Sequence, residues 1–238
     1  MALILNIETG TNVCSAAISE NGRVVALRES DQGHAHAQNL APFIDELLRE
    51  NEIMPDELDA VAVSKGPGSY TGLRIGTSTA KGLCYALGIP LIAVGSLESL
   101  ARVAIEDYEA GVVDIDDITG VVLCPMIDAR RMEVYAQVFD GNATPLSEVG
   151  AHVIDGESFA EFIGGEREFV IFGDGAAKCV EALPAEGVRM IDVAPSARGL
   201  ARPAYEAFLA KRFEDTAYFE PFYLKDFVVS SPKKNVNK

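Results

Sequence analysis

The sequence predicts an α/β protein of two lobes, each built on a mixed sheet flanked by helices. Three apolar runs separated by short turns open the chain and indicate a strand meander. Short apolar strands then alternate with amphipathic helices, which is typical of crossover units that add parallel strands to a sheet. The acidic, glycine-containing stretch 106–117 separates this series from a second one that loosely echoes it. We therefore predict an N-terminal lobe over 1–105 and a C-terminal lobe over 106–238, with the tail 214–238 returning towards the first lobe.

The elements of the first lobe follow from residue spacing. Apolar positions recur three and four residues apart from His36 to Leu48, which predicts an amphipathic helix that Pro42 begins or bends. Consecutive apolar positions in 59–64 predict a strand covered on both faces. Ser96 is the expected N-cap of a later helix. The full prediction is strands over 3–7, 13–18, 23–28, 59–64 and 89–94, and helices over 36–48, 71–87 and 96–105.

The second lobe carries the same kinds of pattern with longer irregular connections. The predicted strands are 121–127, 133–139, 146–153 and 168–172, and helices are predicted near Ser158, near Ala176 and over 198–213.

Composition limits the classes of function. The 238 residues carry 20 Lys and Arg against 36 Asp and Glu, a formal net charge of −16. Binding to a phosphate backbone depends on basic clusters that release counterions, so we expect any RNA to arrive on a basic partner. The chain opens without a basic leader and contains no run of about 18 apolar residues, so we expect a cytoplasmic protein that does not span a membrane. The cysteines are scattered singly, which favours buried free thiols at Cys14, Cys84, Cys124 and Cys179.

The stretch 64–82, SKGPGSYTGLRIGTSTAKG, is the expected functional centre. Its loop joins a buried strand to a helix, where backbone N–H groups and the helix dipole can hold an anion. The spacing fits neither a Walker loop nor the dinucleotide pattern, whose third glycine is replaced by Thr71. Gly66, Gly68 and Ser69 are candidate contacts to a nucleotide or substrate, and a tight structural turn is the alternative.

The helix after this loop contains unusually small residues. Gly76 and Gly82 each cost about 0.5–1 kcal/mol relative to alanine inside a helix. Gly72, Gly76 and Thr79 fall on one face, which could admit a second backbone from the same chain or from a partner. We expect this face to carry the function of the stretch.

The sequence offers no complete catalytic site. His34 and His36 are two residues apart, which does not place them on one helical face for a metal, and no G-x-S-x-G elbow is present. We therefore predict no catalytic residue and no metal ligand. Asp128 and Arg130 at a strand-turn-strand junction could hold a substrate, with a local ion-pair network as the alternative. Gly173 and Gly175, which follow a strand and open a helix, are further candidate contacts to a nucleotide. The tail 225–238 contributes a basic segment with Lys233, Lys234 and Lys238.

Several segments together resemble one family. ILNIETGTNVCSAAI, SKGPGSYTGLRIGTSTAKGL, IDARRMEVYAQVF and EPFYLKDF are similar to the TsaB family, once called glycoprotease-like. The resemblance implies an actin/Hsp70-like (ASKHA) nucleotidyl fold and a part in making N6-threonylcarbamoyladenosine beside the tRNA anticodon. In that pathway the related subunit TsaD carries the metal and transfers the group, and the ATPase TsaE assists. A TsaB protein is the activating, non-catalytic partner, so we expect ATP and metal on the partner subunits and tRNA only through the complex.

The resemblance also implies where partners bind. Contact with TsaD, or with a second copy in a homodimer, is expected on the first two helices of the N-terminal lobe. The residues are His36, Leu40, Phe43, Ile44, Leu47, Thr71, Leu73, Arg74, Gly76, Thr77, Ala80, Lys81, Cys84 and Tyr85. The chain departs from the family pattern at Glu8, where Asp is usual, and at Gly10, where Ser is usual, which weakens the case for a metal-nucleotide there. A stand-alone ATP-binding kinase or ATPase of the same fold and a metallopeptidase are the alternative functions.

Overall fold

The computed structural model describes residues 1–32 and 35–225, so His34 and the lysines of the tail beyond 225 lie outside the described residues. The strands are β1 Leu3–Glu8, β2 Cys14–Glu20, β3 Arg23–Ser30, β4 Ala60–Ser64, β5 Leu91–Val94, β6 Val121–Asp128, β7 Glu133–Ala136, β8 Phe139–Asp140, β9 Gly150–Val153, β10 Glu168–Phe172 and β11 Val188–Met190. The α-helices are α1 His36–Glu50, α2 Tyr70–Leu87, α3 Ser96–Glu109 and α4 Ala201–Leu209.

Two sheets repeat the same topology. The first has the order β3-β2-β1-β4-β5, and the second has β11-β10-β6-β7-β9 with β8 paired to β6. In each sheet one central strand, β1 or β6, has an antiparallel hairpin partner on one side and a parallel crossover strand on the other. This confirms the predicted mixed sheets and explains why the element order of the second half echoes the first.

The first sheet is covered on both faces. Leu5, Ile7 and Val61 pack on one face against α1 and α2. Ile4 and Ile92 pack on the opposite face against α4 and the turn that precedes it. This division follows the two-residue period of side chains along a strand. The segment from 197 to 209 thus returns to the first sheet, and the tail follows it there, since Glu214 N donates to Leu91 O of β5 at 2.9 Å.

Helix α3 links the two sheets. It follows β5 of the first sheet, yet its apolar face, with Leu97, Leu100 and Ala104, packs in one core with Val121 and Phe172 of the second sheet. The helix runs to Glu109 and so takes in part of the acidic stretch predicted to be a boundary. An apolar helical face extends as long as there is core to bury it, and acidic side chains can occupy its solvent side.

Several local predictions were wrong. The N-cap of α3 is Gly95, because Ser96 Oγ instead accepts a hydrogen bond from Gly66 N at 3.1 Å. The segment near Ser158 forms turns, since Phe159 has a φ of +60° that an α-helix does not allow. The predicted helix 198–213 divides into a 3₁₀ turn over 197–200 and α4, and Lys211 follows with a φ of +54°.

Further elements of the second lobe are shorter than predicted. The segment near Ala176 is a 3₁₀ turn over 177–179, the strand predicted over 133–139 divides into β7 and β8, and the strand predicted over 146–153 is confined to β9. Helix α1 begins at His36, so Pro42 lies inside the helix and does not begin it. The cysteines are free and buried, as predicted.

Candidate functional site

Helix α2 has a typical capping residue at each end. Ser69 is the N-cap, and its Oγ accepts a hydrogen bond from Gly72 N at 3.3 Å. Gly88 ends the helix in the left-handed conformation, with a φ of 68°. The helix therefore has fixed ends, and its faces can be assigned one by one.

The inner face of α2 packs against the turn that follows β1. Thr9 Oγ1 donates a hydrogen bond to Gly72 O at 2.9 Å. A Cβ atom on Gly72 would lie 2.0 Å from Thr9 O, and one on Gly76 would lie 2.3 Å from Thr9 Oγ1. The face predicted to admit a backbone from the same chain or from a partner therefore packs against this chain's own Thr9 turn, which corrects the partner assignment of Gly76.

Most of the other residues expected at a partner interface are also inside the chain. Apolar residues recur three and four positions apart in α1 and α2 because that side of each helix packs on the first sheet. His36 Nε2 lies 3.0 Å from Thr11 O, so this imidazole holds the same turn from the side of α1. The buried members of the set are His36, Leu40, Ile44, Leu47, Leu73, Gly76, Thr77, Ala80 and Cys84.

The exposed members of the set on α2, Thr71, Arg74 and Tyr85, lie on one line with Ser78 and Gly82, which were not among the expected interface residues. Thr71, Arg74, Ser78, Gly82 and Tyr85 succeed each other at spacings of three and four, and all are exposed. We call this line the outer stripe of α2. Tyr85 is 88% exposed, and a Cβ atom on Gly82 would meet no atom of residues 1–32 or 35–225 within 4 Å.

A groove of about 480 Å³ runs along the outer stripe between α1 and α2. Ala37 of α1 lines one side and Thr71, Arg74 and Ser78 line the other. Arg74 Nη1 donates to Tyr70 Oη at 3.0 Å, and its guanidinium lies 5.1 Å from the centre of the same ring. Phe43 is half-buried, and Lys81 is engaged with the tail, its Nζ donating to Ala217 O and Phe219 O.

A buried acid lies beneath the glycine loop. Glu8 Oε1 accepts hydrogen bonds from Gly10 N at 2.6 Å and from Ser64 Oγ at 2.9 Å. Desolvation raises the pKa of Glu8 to about 7, although these hydrogen bonds act in the opposite direction. A Cβ atom on Gly10 would lie 3.0 Å from Glu8 Oε1 and 3.2 Å from Ser96 Oγ. The two departures from the family pattern therefore fit each other, since the longer carboxylate fills the space that a serine side chain at position 10 would need.

The predicted phosphate contacts in the glycine loop are engaged within the chain. Ser69 N donates to Gly10 O at 2.6 Å, and Gly66 N donates to Ser96 Oγ. A Cβ atom on Gly68 would lie 2.2 Å from Gly10 O. These contacts match the tight structural turn that was the alternative interpretation.

The candidate residues of the second sheet lie together at the ends of β6 and β10. Asp128 pairs with Lys178, and its backbone N donates to Asp174 Oδ1 at 3.0 Å. A Cβ atom on Gly173 would lie 2.5 Å from Met126 O, and one on Gly175 would lie 2.9 Å from the carbonyl carbon of Ile127. These two glycines thus permit close packing of the loop after β10 on β6.

An ion-pair network describes the Asp128 region better than a substrate site does. Lys178 Nζ also donates to Glu133 O at 2.7 Å, and Asp128 Oδ1 accepts from Arg130 N at 2.9 Å, while the Arg130 residue is exposed.

Asp174 also contributes to the raised pKa of Glu8, because the ends of the two sheets face each other. Sequence reasoning missed Glu8 as a buried acid; the only signal was a carboxylate at the end of an apolar strand.

The described parts of the chain contain neither a metal-binding group nor a membrane-spanning helix. Over residues 1–32 and 35–225, no three His, Cys, Asp or Glu side chains form a group that could hold a metal ion. Within the same ranges, no helix has both the length and the apolar character required to cross a bilayer.

The duplicated sheets place the chain in the class of two-lobed actin/Hsp70-like (ASKHA) proteins. The activator of the 2-hydroxyisocaproyl-CoA dehydratase from Clostridium difficile shares this fold at 12% identity, with a TM-score of 0.50 over 90% of this chain and 98% of the other. YeaZ from Pseudomonas aeruginosa is more similar, at 27% identity and a TM-score of 0.80 over 94% of this chain and 100% of that chain.

The sequence comparisons give the family. The model described as "TsaD: tRNA N6-adenosine threonylcarbamoyltransferase" matches residues 30–227. The tRNA threonylcarbamoyladenosine biosynthesis protein TsaB of Haemophilus influenzae is 34% identical over 132 residues. The chain belongs to the TsaB family, within the wider group that this model describes. The alignment covers 56% of this chain and 51% of the relative, so the chain spans about half the length of that curated relative.

Proposed function

We propose that this chain is the non-catalytic activating subunit of a cytoplasmic complex that forms N6-threonylcarbamoyladenosine on tRNA, and that it binds the TsaD subunit through the outer stripe of α2. Membership of the TsaB family supports the pathway, since its named relatives are tRNA threonylcarbamoyladenosine biosynthesis proteins. The observation that carries the binding mode is Gly82.

Among the described residues, no close contact explains the glycine at position 82 of this helix. A glycine in a helix costs about 0.5–1 kcal/mol relative to alanine. At Gly72 and Gly76 the close approach of Thr9 accounts for that cost, but a Cβ atom on Gly82 would lie in open space. A partner backbone that approaches the outer stripe would account for Gly82 in the same way that Thr9 accounts for Gly76.

Tyr85 lies three residues further along the same stripe and is almost fully exposed. Large aromatic side chains are enriched at the energetic centres of interfaces, because they bury much area with little loss of side-chain entropy. A small residue beside an exposed aromatic side chain gives a partner helix both room to approach and a surface to pack against. In this proposal the groove between α1 and α2 receives side chains of that helix.

The net charge of the chain supports the part of the proposal that places tRNA on its partners. With a formal net charge of −16, the chain does not attract a tRNA backbone by itself, so tRNA binds through TsaD and the complex. ATP and the metal are held by TsaD and TsaE. The same stripe serves a homodimer when TsaD is absent.

Binding to TsaD tests the proposal, with variants chosen on the exposed surface. Gly82→Leu and Tyr85→Ala should each weaken the complex with TsaD at least about tenfold, since a central interface side chain contributes about 2 kcal/mol or more and about 1.4 kcal/mol is a factor of ten. Leu209→Ala is the control, because Leu209 is a large side chain that is 63% exposed on α4, the helix on the opposite face of the first sheet. The measurements are calorimetry with purified TsaD and the rate of tRNA modification with TsaD and TsaE present.

Unchanged affinity for both stripe variants would move the interface elsewhere. No complex and no increase in modification with an excess of this chain would overturn the activating role itself. Sedimentation of the free chain adds a separate arm, in which Tyr85→Ala should shift any dimer towards monomer.

A nucleotide-binding activity of the chain alone is the second candidate. The observation that favours it is the fold shared with the dehydratase activator, whose structure has bound ADPNP. The contacts of the glycine loop weigh against it, because Ser69 N and Gly66 N already donate within the chain. Calorimetry with Mg-ATP and an assay for phosphate release, both on the isolated chain, decide between the two, since turnover would favour the ATPase.

A further inference from the structure

A second cavity, of about 420 Å³, lies where the ends of β4 and β5 meet the β7–β9 side of the second sheet. Its apolar wall comes from Phe139, Pro145 and Val149 of the second lobe and from Phe222 of the tail. The volume falls within the range of roughly 300–1,000 Å³ that small-molecule sites occupy. None of these residues belongs to the outer stripe of α2 or contacts the Glu8 carboxylate.

Lys65 and Glu98 line the same cavity but do not form an ion pair with each other. Within the described chain, neither the Lys65 ammonium nor the Glu98 carboxylate makes a hydrogen bond or an ion pair, although both side chains are half-buried. Desolvation raises the pKa of Glu98, and the charges of Arg102 and Lys65 oppose that rise without cancelling it. A partly desolvated charge without a partner costs free energy that a complementary group can recover.

The tail residues from 222 to 225 close one side of the cavity through Phe222 and are held there by contacts with both sheets. Phe222 N donates to Lys65 O at 2.7 Å, and Tyr223 packs on Tyr70 with ring centres 4.9 Å apart. Lys225 then pairs with Glu133 of the second sheet. The tail therefore runs from the first sheet to the second and holds the Phe222 side chain as part of the wall.

We propose that this cavity binds a small zwitterion, an α-amino acid with an apolar side chain. Its carboxylate lies at Lys65, its ammonium lies at Glu98, and its side chain lies on the wall formed by Phe139, Val149 and Phe222. One lysine and one glutamate suit a ligand with one charge of each sign. A polyphosphate is a poor match, because Lys65 is the one cationic side chain among the described residues that line the cavity, and Glu98 would repel a polyphosphate. This inference goes beyond the proposed function and does not depend on partner binding.

Titration of the full chain with L-phenylalanine and L-leucine tests the proposal. Calorimetry should show saturable binding, and the backbone amide signals of Gly66, Gly95 and Phe222 should shift in the ¹⁵N spectrum. The analogue 3-phenylpropionate lacks the ammonium and phenethylamine lacks the carboxylate, so each should bind at least tenfold more weakly than L-phenylalanine. Equal binding of either analogue would overturn the zwitterion assignment.

Variants locate the site. Lys65→Met and Glu98→Gln should each weaken L-phenylalanine at least tenfold, whereas Lys211→Met and Glu181→Gln, which change exposed residues outside the cavity, should bind as the unmodified chain does. The amide spectrum of each variant also reports whether it is folded. No saturable binding of either amino acid to the unmodified chain, or binding that Lys65→Met and Glu98→Gln leave unchanged, would overturn the proposal.

Discussion

Three glycines of α2 should respond in opposite directions to the same substitution by alanine. Gly72, Gly76 and Gly82 lie in one helix, and each would gain about 0.5–1 kcal/mol of stability from the better helix propensity of alanine. The difference lies in what the new methyl group meets. At Gly82 it meets no atom of the described residues within 4 Å, so Gly82→Ala should stabilise the chain by that full amount.

At the other two positions the methyl group collides with Thr9. The Gly72 methyl would lie 2.0 Å from the Thr9 carbonyl oxygen, which can move only with its backbone. The Gly76 methyl would lie 2.3 Å from Thr9 Oγ1, and displacing this hydroxyl also breaks its hydrogen bond to Gly72 O. Overpacking costs about 1–3 kcal/mol and a lost hydrogen bond about 0.5–1.5 kcal/mol. After the gain in helix propensity is subtracted, Gly76→Ala should be less stable than the unmodified chain by about 0.5–4 kcal/mol and Gly72→Ala by up to about 2.5 kcal/mol.

Urea unfolding followed by circular dichroism measures the three differences under one set of conditions. A Thr9→Ala change should recover part of the loss in Gly76→Ala and little of that in Gly72→Ala, because it removes the hydroxyl and leaves the carbonyl. Equal stabilities of Gly72→Ala and Gly82→Ala would refute the packing of α2 on the Thr9 turn.

Two further predictions concern charged groups. Since the pKa of Glu8 is raised to about 7, the folded chain retains a proton between about pH 4.5 and 7 that the unfolded chain releases, so stability should fall by about 3 kcal/mol as pH rises through this window. Glu8→Gln should remove this decline from a series of urea unfolding curves, and a decline that persists undiminished would assign it to other groups. Arg198→Met should cost about 1–3 kcal/mol, because Arg198 bonds Glu106 at 3.2 Å and the nearly buried Asp107 at 2.7 Å. Arg202→Met, which affects only an exposed pair with Glu206, is its control and should change the thermal midpoint by less than about 2 °C.

The first sheet could be predicted from the sequence because its information is local. Apolar runs and turn residues mark β1, β2 and β3, and the predicted bounds differ from the observed ones by at most two residues. Ser96 shows where local information ends. Its position before an apolar helix is typical of an N-cap, but its hydroxyl instead accepts from Gly66, which is 30 residues away. A capping rule cannot detect a competing acceptor role in tertiary structure.

The candidate site was harder to predict for the same reason. The spacing of His36 and Leu40 indicates which side of α1 is covered, but not whether this chain or a partner covers it. The helix glycines indicate close approach, but only the structure shows that Thr9 is the approaching group at Gly72. Sequence reasoning also missed Glu98, since a glutamate in the first turn of a helix is ordinarily explained by the helix dipole.

The two sides of α2 therefore have different consequences for any experiment on partner binding. The inner side is joined through Thr9 to Gly10 and Glu8, so a bulky substitution at Gly76 changes the fold before it changes an interface. A loss of TsaD binding by such a variant would carry no information about contact. The outer stripe is free of this coupling, because a side chain added at Gly82 meets none of the described chain. A Gly82→Ala variant that is more stable than the unmodified chain, together with a Gly82→Leu variant that folds but does not bind TsaD, would separate the two roles that glycine has in this one helix.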